Sequence, residues 1–299
     1  MSEDFPRTLR QLEQRFSTEE ACRGYLSALR WPEGFVCPGC DGRDAWQMSR
    51  GLYLCTACRR QVSVTAGTIF ERTHLPLTIW FRGMWHVTTQ KNGVSALGLQ
   101  RVLGLGSYRT AWAMLHKLRR AMVRPGRDRL RGTVEVDDTY WGGPEEGVIG
   151  RLTETKALLA VAVEEDGNGI GRIRLRHVPD LTRKSLHGFI AEAVAPGSTV
   201  RTDGLKAYMR MKGYVHERQV QRDQPDGEHL LPRVHRVVSL LKRWLMGTHQ
   251  GAVGHEHLDY YLDEFTFRFN RRTSASRGKL FYRLAQHAVQ TGPTTSDSL

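Results

Sequence analysis

The chain has 299 residues, 40% hydrophobic and 25% charged. These are ordinary globular values, which exclude wholesale disorder and leave room for two or three small domains with at least one sizeable core. Lys and Arg total 44 against 31 Asp and Glu, a formal net charge of +13, and that excess points to a polyanionic partner. No run of about 18 apolar residues is present to span a bilayer, so no membrane partner is expected. The polar opening segment does not read as a secretory signal. A cytoplasmic, reducing setting is expected, where clustered cysteines hold metal rather than form disulfides.

In chain order, residues 4–30 read as helical, with Leu9, Leu12, Phe16, Cys22, Tyr25 and Leu29 at roughly helical spacing. Residues 31–66 are cysteine-rich and contain turn glycines. Residues 76–124 read as helical, broken twice at glycines. The pattern then changes: 133–140, 156–164, 169–178 and 198–202 read as strands by their β-branched and alternating content. A helix over about 181–195 falls between the last two, and further helices are expected at about 204–212, 232–246 and 255–270. The tail 291–299 is expected to be frayed. The implied organisation is an N-terminal helical segment (1–30), a cysteine-rich segment (31–72), a second helical region (73–131) and a core of strands and helices (132–290).

Cys37-Pro-Gly-Cys40 and Cys55-Thr-Ala-Cys58 form two CxxC knuckles separated by 14 residues. Each knuckle puts two thiolates on one side of a tight turn, and two such turns complete a closed tetrahedral zinc site. With no open position for water, its role is structural. Cys22 falls in a helical pattern and reads as a small buried residue rather than a fifth ligand.

Residues 94–103, the turn Gly104-Leu105-Gly106-Ser107 and residues 108–123 make two helices around a short turn, with Ser107 as N-cap. That pattern suits a helix-turn-helix whose second helix enters the major groove; an ordinary helical hairpin is the alternative. Tyr108 and Arg109 at its start are candidate DNA contacts. Lys117, Arg119 and Arg120 follow as candidate phosphate contacts, and Ala111, Trp112, Leu115 and Leu118 form the inward face. Arg271 and Arg272 belong to a second basic stretch, read as a DNA-backbone contact or a solvated charge run.

Asp137 lies inside the predicted strand TVEVDDTY, where a buried charge is costly unless a metal or partner offsets it. Glu135 and Asp137 share one face and Asp138 takes the other. Asp203 follows the apolar strand STVRT, at the carboxyl end where ligand-binding groups gather in α/β sheets. Two carboxylates on adjacent strands can share hard cations such as Mg2+. His235 and Lys242 are seven residues apart, two helical turns, and so project from one face. His235 is the candidate third metal ligand and Lys242 a candidate phosphate contact, although a lone helical histidine is usually structural. Tyr140 and Trp141, ahead of a glycine turn, suit either base stacking or the core.

The order of these phrases is more specific than any of them alone. The double CxxC ribbon, "RRQVSVTAGTIFERTHLPLTIWFRGMW", "VEVDDTYWGG", "VRTDGLKAY" and "VHRVVSLLKRWLMGTHQG" through "YLDEFTFRFNRR" together resemble the ISXO2-like insertion-sequence transposase family over nearly the whole chain. The resemblance implies an α+β multidomain protein with an RNase H-like α/β core of the DDE type. Such a core cuts and joins double-stranded DNA at transposon ends using Mg2+ or Mn2+. Asp137 and Asp203 match the two Asp positions, His235 the third and Lys242 the trailing basic residue, with 31 residues between Asp203 and His235. His in place of Glu offers a neutral nitrogen instead of a charged oxygen, which weakens Mg2+ binding or favours Mn2+. Glu135 and Asp138 remain as reserve carboxylates. Synapsis of two ends implies a homodimer or higher oligomer, and the DNA-bound protein would associate with the bacterial nucleoid. Two other readings stay open: a DNA-binding regulator with an inactive core, and a structure-specific RNase H-like nuclease.

Overall fold

The computed structural model describes residues 4–124, 126–143, 155–220 and 230–294. The chain folds as two compact units: Met1–Pro125 with Thr273–Leu299, and Gly126–Arg272. The last five residues of the expected frayed tail lie outside the described residues.

In the first unit, the helical stretch expected over 4–30 is two helices, α1 (Leu9–Arg15) and α2 (Glu19–Arg30). The break is local chemistry: the Thr18 hydroxyl accepts the Ala21 N–H and starts a new helix, as Thr8 does for α1 through Gln11. A small antiparallel sheet follows, made of β1 (Ala45–Gln47), β2 (Leu52–Cys55) and β3 (Gln61–Ser63), in that order. Helices α3 (Leu77–Thr89), α4 (Ala96–Leu103) and α5 (Tyr108–Ala121) come next. Ser95 caps α4 through the Gly98 N–H, and Gly104, at φ 65°, ends it in the left-handed conformation that glycine tolerates best. The chain returns to this unit at its far end, where α9 (Arg277–Ala288) presents Leu280, Phe281 and Leu284 to the interior. The Phe281 ring lies 5.7 Å from that of Phe81 and 6.0 Å from that of Trp85. The sequence reading ran the core to 290, whereas the second unit ends at Arg272.

The second unit is built on a five-stranded sheet of β4 (Thr133–Trp141), β5 (Ala157–Asp166), β6 (Gly169–Val178), β7 (Thr199–Thr202) and β8 (Val215–Arg218), ordered β6-β5-β4-β7-β8. β4, β5 and β6 are antiparallel neighbours, while β7 and β8 join β4 in parallel. The two-residue period sorts each strand onto two cores. Val134, Val136, Ala160, Ala162 and Val200 face α6 (Arg183–Ala193), which supplies Leu186, Phe189 and Ile190. Leu159, Val161, Val163 and Ile173 face α7 (Pro232–His249) and α8 (Leu258–Phe269), through Val234, Val237, Leu241 and Phe265. Leu241 is fully buried, and truncating such a residue to alanine costs about 2–5 kcal/mol. The helix expected over 204–212 is only a single turn, Lys206–Tyr208, because the chain then enters the unexpected strand β8.

Candidate active site and zinc centre

The two cysteine knuckles have the same backbone plan. Asp41 N–H donates to Cys37 O at 2.9 Å and Arg59 N–H to Cys55 O at 3.0 Å. Both donors are non-glycine residues in the left-handed region, at φ 58° and 60°. The four sulfurs lie within 4.8 Å of one another, with Cys37–Cys58 and Cys40–Cys55 each 3.6 Å apart. A tetrahedral zinc with bonds of about 2.3 Å spaces its sulfurs by about 3.8 Å, so the set fits the ion. Gly42 completes the fit, since a Cβ there would come 3.2 Å from the Cys55 sulfur. Charge points the same way. Backbone N–H groups of Cys58 and Ala57 bring the Cys55 thiol down to about 7. At Cys40 the Gly42 N–H favours the thiolate, but the neighbouring thiols outweigh it and push the group up to about 12. Four thiolates this close need a cation between them.

In the second unit, the β4–β7 register pairs Glu135 with Arg201. Asp137 and Asp203 each lie two residues beyond that pair, Asp137 still within β4 and Asp203 immediately after the end of β7. Both are half-buried. Asp137 Oδ1 accepts the Asp138 N–H at 2.9 Å, and Asp203 Oδ1 accepts the Leu205 N–H at 3.0 Å, a local turn that fixes the carboxylate. Asp137 shares its face with Glu135, the face covered by α7.

Glu135 fixes that helix. Its side chain is 1% exposed, and its Oε2 accepts the N–H groups of Arg233 at 2.9 Å and Val234 at 3.0 Å. A carboxylate at this point satisfies two of the first-turn donors and meets the positive end of the helix dipole. The Arg233 guanidinium binds Glu135 and Glu165, both at 3.0 Å, and the carbonyls of Gly167 and Gly169 in the β5–β6 turn. Arg201 extends the chain of charges, joining Glu165 to Glu217. Glu135 is therefore committed to holding α7 and is no reserve metal ligand, which corrects the sequence reading.

Arg233 leans toward the β5–β6 turn. His235, two residues on, projects from the other flank of the helix, because each residue turns about 100°. His235 is exposed, Ser239 donates its hydroxyl to the His235 carbonyl, and Lys242 follows on the same stripe. Desolvation, and then repulsion by Lys156, hold the Lys242 ammonium below the ordinary lysine value. Lys156 was missed in the sequence because it precedes β5. The antiparallel pairing of Ala157 with Trp141 brings it to this end of the sheet. Among the described residues, only the four cysteines form a cluster tight enough to hold an ion as they stand. Asp137, Asp203 and His235 are not drawn together to that degree.

The other predicted contacts divide by exposure. Tyr108, Arg109 and Arg120 are exposed and Lys117 half-buried. Arg119 is 1% exposed and belongs to the interior, so it is withdrawn from the phosphate contacts; its place on α5 points inward with Leu115 and Leu118. Trp141, 8% exposed, packs in the α7 core. Arg271 stacks on Phe267 and Arg272 on Phe269, each 4.1 Å from the ring centre. Arg272 also binds the carbonyls of Phe269, Gly171 and Ile170, which ties α8 to β6.

Residues 129–270 match the ISXO2-like transposase domain, and residues 17–61 match the transposase zinc-ribbon domain. An uncharacterized protein in transposable element ISH50 of Halobacterium salinarum is 27% identical over 278 residues, covering 85% of this chain and 91% of that protein. With both domains matched in order, and the ribbon's four thiols gathered as zinc requires, the chain pairs a transposase zinc ribbon with an ISXO2-like transposase domain.

Proposed function

We propose that this protein is an active DDE-type transposase with an Asp-Asp-His site, which binds transposon inverted repeats, cleaves their phosphodiesters and joins the freed ends to target DNA. The observation that carries the reading is the parallel pairing of β4 with β7, whose last pair, Glu135 with Arg201, stands two residues before Asp137 and Asp203 alike. The mixed sheet, with three antiparallel strands extended by two parallel ones, supports an RNase H-like core. Carboxylate oxygens suit Mg2+, and the His235 nitrogen widens the choice to Mn2+. Bound there, a divalent cation supplies positive charge to the attacking and leaving oxygens of an in-line displacement. Asp137 and Asp203 hold the site's negative charge, His235 offers its third corner, and Lys242 with Lys156 meets the phosphate backbone. In the first unit, α4 and α5 around the turn 104–107 act as a helix-turn-helix, with Tyr108 and Arg109 entering the groove and Arg120 on the phosphates. Two ends must be held at once, so the working form is a dimer or higher oligomer.

The test incubates the protein with a labelled inverted-repeat duplex, a plasmid target and Mg2+ or Mn2+. Strand transfer that disappears in Asp137→Asn and Asp203→Asn, with end binding kept, is the expected result. Retarded DNA without cleavage under either metal would leave a binding-only regulator. Cleavage of branched junctions without joining would leave a structure-specific nuclease.

A further inference from the structure

On the α6 side of the second unit's sheet, opposite the face of Asp137 and α7, lies a cavity of about 440 Å3. Arg183 at the start of α6, and Arg210 and Lys212 beyond the turn that follows Asp203, bring three cations to it. His187 and Tyr214 line it between them, above an apolar floor that includes Met211. Among the described residues, no acidic side chain lines it. Four arginines of this unit do have acidic partners: Arg172 has Glu164, Arg176 has Glu192, Arg201 has Glu165 and Glu217, and Arg233 has Glu135. Among the described residues Arg183, Arg210 and Lys212 have no such partner. Burial holds His187 below its ordinary value, so at neutral pH the charge of the cavity comes from the three cations.

Three unpaired cations around one concavity repel one another and lower their energy by gathering an anion. Ile190, Ala191 and Met211 make part of the lining apolar, while the three exposed cations reach it from two separate stretches of chain. In a chain of net charge +13 that carries a transposase domain, the polyanion such cations gather is a nucleic-acid backbone. The segment is also stiffly held. Tyr208 and Met211 are buried, the Gly197 N–H donates to Gly213 O at 2.7 Å, and the Tyr214 hydroxyl donates to Val194 O at 3.1 Å. Arg210 sits in the left-handed backbone region at φ 64°, a conformation that costs about 1 kcal/mol or more and persists where the surroundings impose it.

We infer that this cavity binds the phosphodiester backbone of duplex DNA away from the scissile bond, giving the core a second, sequence-independent DNA contact on the face opposite its carboxylates. The inference rests on the transposase reading for its choice of polyanion.

The test measures binding of the full-length protein to a fluorescent duplex without transposon-end sequence, across a salt series. Three proteins are compared: wild type, Arg183→Ala/Arg210→Ala/Lys212→Ala, and the charge-conserving Arg183→Lys/Arg210→Lys/Lys212→Arg. Each lost phosphate contact lowers the slope of log K against log salt by about 0.9. The alanine variant should therefore lose about 2.7 of slope, and the conserving variant should keep it. Zinc content and thermal unfolding equal to wild type show that the fold is intact. A slope unchanged in the alanine variant overturns the inference. So does loss of inorganic phosphate binding, measured by calorimetry, with the duplex slope kept, since that marks a small-anion site. Strand transfer by the wild type alongside an unchanged slope rejects the cavity and keeps the transposase. A reduced slope in a protein that never joins DNA does the reverse.

Discussion

Glu135 on β4 accepts the backbone N–H of Val234 on α7 at 3.0 Å, across 99 positions of sequence. One buried carboxylate thereby sets where α7 begins and how it is turned above the sheet. Removing one partner of a buried charge pair costs about 3–5 kcal/mol, because the other is left uncompensated. Glu135→Ala should lower unfolding free energy by that amount in urea denaturation. Unchanged stability would show that the cap is not held in solution.

His235 lies one residue beyond that cap. His235→Ala should cripple cleavage while end binding, read by gel retardation, stays near wild type. His235→Glu should retain activity and shift metal preference toward Mg2+, since it restores a charged oxygen ligand. Wild-type activity in the alanine variant would remove His235 from the site.

The zinc centre predicts a separable defect. Cys37→Ser should release the ion and weaken DNA binding, with the second unit's unfolding unaffected. Metal analysis and a calorimetric scan check both statements, and unchanged zinc content contradicts the assignment.

Glu164 gives a pH-dependent contribution. Burial alone would raise its carboxyl. The Arg172 guanidinium and the N–H groups of Arg131 and Arg172 outweigh that and hold it below its ordinary 4.5. A carboxyl depressed in the folded state stabilises it above the unfolded value, and the contribution is lost as pH falls through the lower folded value. Glu164→Gln should therefore cost on the order of 1 kcal/mol at pH 7. The difference should shrink steadily below about pH 4.5, as followed by denaturant unfolding at several pH values.

Gly278 tests the closure of the first unit. A Cβ there would fall 1.8 Å from the Pro6 carbonyl oxygen, so the backbone must move. Gly278→Ala should destabilise by about 1–3 kcal/mol, the range for overpacking; a melting temperature equal to wild type would show that the N-terminal segment does not pack there.

Much of this was legible in the sequence, and the exceptions share a cause. The knuckles could be read from spacing because the zinc geometry is local. β4 and β6 could be read from their alternation and β5 from its nearly unbroken apolar run, which fills a core on each face of the sheet. β8 could not: Val215-His216-Glu217-Arg218 has no apolar alternation, and its place comes from pairing with β7 and from the Glu217–Arg201 contact. Glu135 was visible as a charged residue in a strand, but its partner arrives 98 positions later. The inward turn of Arg119 was likewise invisible, since a basic run at a helix end looks the same whether or not one member packs inside. Asp137, Asp203 and His235 came chiefly from family resemblance, and the β4–β7 register ends two residues before the first two.

The return of α9 to the first unit has a consequence for expression. Phe281 packs against Phe16, Phe81 and Trp85, so a translation product that stops anywhere within 126–272 lacks one wall of its own amino-terminal fold. Such a fragment would bare aromatic surface and be lost to proteolysis or aggregation. The first unit therefore cannot be shed as a free-standing fragment by ending early: both ends of the chain must be made before it can close.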